Sequence, residues 1–122
     1  MGLDMYAVVI EPNPKRPATD FKIDEGAEDL HYWRKHPNLH GFMQELYEQK
    51  GGEKEFNCNP VLLEESDLDA LEKAIRQSEL PDTTGFFFGE SDGSEKADDL
   101  EFIEKARAKL AAGMSVAYYA WW

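Results

Sequence analysis

The sequence predicts an α+β domain: a small mixed or antiparallel sheet of roughly three to five strands with about three helices packed on it. Three observations carry this. The stretches "LDMYAVVI" (Leu3 to Ile10) and "MSVAYYAWW" (Met114 to Trp122) are rich in strand formers. Between them lie segments in which apolar residues recur at helical spacing. Neither a repeat nor a linker divides the 122 residues, so residues 1–122 are expected to form one domain. With 42% hydrophobic residues the chain is too apolar to remain disordered, although 31% of it is charged.

Taken in order, the first strand ends at "EPNPKRP", where Pro12, Pro14 and Pro17 stop a ladder. An irregular excursion runs from there to about Glu28, with a short extended piece at "FKID". In "DLHYWRK", Leu30, Tyr32 and Arg34 alternate with His31, Trp33 and Lys35, the pattern of a second strand. Pro37 suits the first turn of a helix, and Leu39, Phe42, Met43, Leu46 and Tyr47 form its apolar stripe until Gly51 and Gly52 end it.

A brief strand at "PVLLE" precedes a second helix. Ser66 and Asp69 have the spacing of a capping box there, Leu68, Leu71 and Ile75 form the buried stripe, and Pro81 marks the end. Ser94 or a nearby aspartate caps a third helix, with Leu100, Ile103, Ala106 and Leu110 on one face and Gly113 after it. The aromatic tail is expected to dock in the sheet as its last strand.

The formal charge of −12 disfavours direct binding to nucleic acid, since a negative field repels phosphate backbones. The same field suits a basic protein partner. A single cysteine, Cys58, permits no internal disulfide, and no basic and apolar leader opens the chain, so a cytoplasmic location is expected. The longest apolar run, Tyr6 to Ile10, is too short to cross a bilayer, and no membrane association is expected.

No sequence motif carries an unambiguous chemistry. Asp4 is a carboxylate in an apolar strand, and burying it alone is costly. Pairing with Arg34 of the neighbouring strand as a register-fixing ion pair is the favoured reading. The functional alternative places Asp4, Arg34 and His40 at one pocket, with the carboxylate orienting an imidazole for acid–base work. His36, His40 and Cys58 are the weak metal-ligand candidates, but Pro37 separates the histidines from a shared helical face and no ligand motif surrounds them. No cofactor is expected.

Trp33, Tyr119, Trp121 and Trp122 are candidate binding aromatics, because flat rings stack well and are enriched at interfaces. In "TTGFFFGES", Phe86 and Phe88 face opposite to Phe87 if the segment is extended, and Gly85 and Gly89 permit sharp turns beside them. These rings are read chiefly as core, with a binding surface as the alternative.

Together, "GLDMY" from Gly2, "YWRK" from Tyr32, "LHGF" around His40, "NC" at Asn57 and Cys58, and "GFFFG" from Gly85 resemble a family of small uncharacterised bacteriophage and prophage proteins. The likeness spans nearly the whole chain, and it is specific as a set. Phe42 and Met43 stand where that family carries Trp-Phe, and "YYAWW" replaces its usual ending.

The resemblance implies a phage or prophage accessory protein. The composition adds the expectation of a non-enzymatic acidic protein that binds a host protein, in defence or nucleic-acid metabolism. A small enzyme or ligand binder around Asp4, Arg34 and His40 is the alternative. A homodimer formed through the aromatic tail is a third expectation.

Overall fold

A computed structural model describes residues 3–121, apart from positions 14, 20, 24–26, 35, 54, 55, 57, 58 and 82–94. Four strands and three helices follow in the order β1 (Asp4–Ile10), β2 (Glu28–Arg34), α1 (Pro37–Gln49), β3 (Val61–Leu63), α2 (Glu65–Arg76), α3 (Lys96–Ala111) and β4 (Ser115–Trp121). The strands form one antiparallel sheet in the order β2-β1-β4-β3, so the first and last strands are neighbours at its centre. The α+β class expected from the sequence is the class observed.

Side chains alternate across a strand, and the register therefore sorts the sheet into two faces. Met5, Ala7 and Val9 lie opposite Ala120, Tyr118 and Val116. This face meets the helices: Leu39 and Met43 of α1, Leu68 and Leu71 of α2, and Phe102 and Ile103 of α3 join it in the main core. Asp4, Tyr6 and Val8 lie opposite Trp121, Tyr119 and Ala117 on the other face. There Phe21, Ile23 and Ala27 of the excursion cover Val8, Ile10 and Ala117 in a smaller cluster, and no helix lies over it among the described residues.

A bulge between Ala7 and Val8 shifts the pairing with β2, from Ala7↔His31 to Val8↔Asp29. The extra residue lets Leu30 turn toward the main core. The excursion pairs with the sheet through a bridge from Thr19 to Val61, and Phe21 and Ile23 of the piece expected to be extended at "FKID" pack in the smaller cluster, while Asp24 lies outside the described residues.

Helix starts differ from expectation. α2 begins at Glu65, capped by Glu64, whose side chain accepts from the backbone at Asp67 while the Asp67 carboxylate accepts the Glu64 backbone N–H at 2.8 Å. Ser66 is thus inside the helix and not its cap. Lys50, just past α1, ties this corner together by donating to the Leu62 carbonyl at 2.7 Å and pairing with Asp67. α3 starts without a side-chain cap at Glu95. Its buried residues are Asp99, Phe102, Ile103 and Ala106, whereas Leu100 and Leu110 are only partly buried.

α1 ends where the sequence places its glycines. Gly51 takes φ +95°, a left-handed conformation that a side chain opposes. Gly52 donates its N–H to the Tyr47 carbonyl at 2.9 Å, and the Tyr47 ring lies against the space a Cβ would fill. That ring is buried and stacked on Phe56 at 4.7 Å, so it has little room to withdraw. Gly52→Ala is accordingly expected to cost about 1–3 kcal/mol in urea unfolding; an unchanged midpoint would show that the ring moves freely.

Candidate functional site: the open aromatic face

Beyond the smaller cluster, the sheet's second face carries Tyr32 of β2, Tyr6 of β1 and Trp121 of β4, with Tyr119 of β4 packed at the cluster's edge, and no described helix lies over them. Register makes them neighbours, since Tyr6 is opposite both Tyr32 and Tyr119. Its ring lies 5.1 Å from Tyr32 and 5.1 Å from Tyr119, nearly parallel to the latter at 17°. Tyr32 and Trp121 are the two large apolar side chains that stand out as exposed among the described residues, at 49% and 45%.

Asp4 and Arg34 sit directly across from one another at the end of this strip, and Asp4 also faces Trp121. The Tyr32 hydroxyl donates to Asp4 Oδ1 at 2.6 Å. This bond, more than any other cause, raises the Tyr32 pKa above its ordinary value and keeps the phenol protonated. Arg34 Nε is farther off, 3.7 Å from the same oxygen, and its side chain is 58% exposed. The register-fixing ion pair expected from the sequence is present in position but loose, while the tyrosine makes the tight contact.

His40 does not belong to this cluster. It lies on α1, fully buried on the helix-bearing side, with Nδ1 sharing a 2.7 Å hydrogen bond with the Tyr118 hydroxyl. Its ring stacks on Phe56 at 5.1 Å and 16°. Tyr118 is opposite Ala7, whereas Asp4 is on the alternate face, so the sheet itself separates His40 from Asp4 and Arg34. The shared pocket expected as the enzymatic alternative is therefore not formed.

Trp33 is also corrected. It was expected among the binding aromatics, but it pairs with Met5 on the helix-bearing face and is buried against Phe102 at 4.7 Å. Its indole N–H donates to Asp99 Oδ1 at 3.0 Å. Of the other candidate aromatics, Tyr119 and Trp121 lie on the sheet's second face, opposite Tyr6 and Asp4. Phe86, Phe87, Phe88, Cys58 and Trp122 lie outside the described residues.

The remaining histidines meet carboxylates of α3. His36 Nε2 donates to Asp99 Oδ2 at 2.7 Å, and its Nδ1 lies 3.6 Å from Glu95 Oε1. His31 Nε2 lies 3.0 Å from Asp98 Oδ2, and Lys105 Nζ lies 3.3 Å from the other ring nitrogen. The carboxylate contacts clamp the N-terminal end of α3 to β2 and to the start of α1, and Lys105 adds a contact farther along the helix. Among the described residues no three side chains of metal-ligating type converge on one point.

Asp99 was not singled out in the sequence. A signal for it existed, because Asp99, Phe102, Ile103 and Ala106 share one helical stripe and a carboxylate in an apolar stripe implies buried donors nearby.

Comparison with protein-family models, with curated proteins and with solved structures finds no match. The class supported is thus one of architecture: among the described residues, a four-stranded antiparallel sheet with helices on one face and, on the other, an aromatic strip of which Tyr32 and Trp121 are exposed. No helix among the described residues is long and apolar enough to cross a membrane.

Proposed function

We propose that this chain is a phage or prophage accessory protein that works without catalysis, by docking its open aromatic face on a host protein in the bacterial cytoplasm. The observation that carries this reading is the pair of half-exposed rings, Tyr32 and Trp121, on the same sheet face as Tyr6 and Tyr119, a face over which no described helix lies. Exposed aromatics gathered on one surface mark interaction sites, since isolated apolar residues are common but clustered ones are not. Host proteins of defence or nucleic-acid metabolism are the favoured partners, because the −12 charge complements surfaces evolved to hold nucleic acid.

The test is capture from bacterial lysate with the tagged protein and with a Tyr32→Ala, Trp121→Ala double variant, washed at low and high salt. One host protein is expected to be retained in stoichiometric amount by the parent chain. The double variant should bind it about thirtyfold or more weakly if these rings are the central anchors, while changing folding stability by no more than about 1 kcal/mol per site. Equal retention by both chains would remove the aromatic face from the reading. Loss of the partner at high salt would add charge mimicry to it.

A further inference from the structure

Resting on that docking role, we infer that the occupant of the open face is a basic segment, whose arginine or lysine side chains lie over the rings of Tyr32 and Trp121 with Asp4 as their counter-charge. The exposed rings are tyrosine and tryptophan, whose electron-rich faces attract cations. Asp4 stands at the same end of the strip as Trp121 and accepts the Tyr32 hydroxyl, so a carboxylate is built into the aromatic surface.

Its intramolecular cation is weakly engaged. Arg34 Nε stays at 3.7 Å on a mostly exposed side chain, so an incoming guanidinium displaces little. Asp29, exposed and paired with Val8, adds a second carboxylate on this face.

The chain already uses this chemistry on the same side of the sheet. Arg16 of the excursion holds its guanidinium 5.3 Å from the centre of the Phe21 ring, and Phe21 packs on the cluster around Val8 and Ala117. The covered half of the face is thus closed by a segment with a cation over an aromatic ring, and the open half offers the same kind of surface to another chain. A second copy of this protein is a poor occupant, since each copy brings −12.

The measurement is fluorescence anisotropy of a labelled octa-arginine peptide titrated with the full chain at about 150 mM salt, where long-range attraction is largely screened. Saturable binding is expected. Tyr32→Ala and Trp121→Ala should each weaken it about fivefold to thirtyfold, and Tyr32→Phe and Trp121→Phe, which keep a ring, by about threefold or less. Thermal unfolding of each variant establishes that it is folded.

Absence of saturable binding, or alanine variants that bind as tightly as the parent chain, overturns the inference; in the second case diffuse charge alone holds the peptide. If a lysate partner depends on Tyr32 and Trp121 while octa-arginine is not bound, docking at this face stands and the basic occupant falls. If octa-arginine binds through the rings while no host protein is captured, the occupant chemistry stands and the host-protein reading falls.

Discussion

Asp99→Ala is expected to lower folding stability by about 3–5 kcal/mol, the range for removing one member of a buried charged contact. In a chain of 122 residues this corresponds to a fall in Tm of about 12–20 °C. The carboxylate is 1% exposed and takes two hydrogen bonds, from the Trp33 indole at 3.0 Å and from His36 Nε2 at 2.7 Å. Truncation removes the acceptor of both bonds in a region closed by the rings of His31, Phe102 and Tyr118, which lie 4.5, 4.7 and 6.3 Å from that of Trp33.

Asp99→Asn separates the contributions. The amide can still accept from one donor but brings no negative charge, so its cost should be smaller, about 1–3 kcal/mol. Urea unfolding of both variants measures this, with the slope checking that the transition stays cooperative. A loss below about 1 kcal/mol for the alanine variant would mean that water satisfies the two donors, and that α3 is held by its apolar stripe alone.

This clamp shows where sequence reasoning reached and where it stopped. The strand at Asp4–Ile10 follows from its strand-forming composition, and the strand at Glu28–Arg34 and the stripes of α1 and α2 follow from periodicity, because both are properties of neighbours along the chain. The start of α2 was displaced because Glu64 to Asp67 and Ser66 to Asp69 have the same spacing, and the backbone geometry at Glu64 decides between them. Asp99 was missed because acidic residues are normally on the surface, and only the arrival of Trp33 and His36 from more than sixty residues away makes its burial affordable.

The candidate site divides in the same way. Alternation in β2 separated Tyr32 and Arg34 from Trp33, but it did not say which set would face the helices. That choice is made by β1 at the sheet's centre, whose Met5 and Ala7 go to the main core and take Trp33 and His31 with them. The pairing of Tyr6 with both Tyr32 and Tyr119, which assembles the aromatic strip, joins residues at opposite ends of the chain and has no local signature. His40 was grouped with Asp4 on chemical type alone, and the sheet lies between them.

Burial of His40 carries the second large effect, a loss of stability on mild acidification. Desolvation lowers its pKa from 6.5 to about 4, because an imidazolium is costly amid the Phe56 and Tyr118 rings. Tyr118 is raised well above 10 by the same burial, so the hydrogen bond between them joins two neutral groups.

Between about pH 6.5 and pH 4 the unfolded chain therefore binds a proton at this position that the folded chain refuses. Stability from this group is complete above pH 6.5 and falls as the pH drops toward 4, by about 3 kcal/mol over the whole interval. The check is a series of urea midpoints at steps across this range for the parent chain and for His40→Gln. The variant's stability at pH 7 is expected to be lower, but its decline with acid should be shallower by about 3 kcal/mol, and contributions from the other histidines and from carboxylates cancel in the difference. Parallel profiles for the two chains would show that His40 takes up its proton without unfolding the core around it.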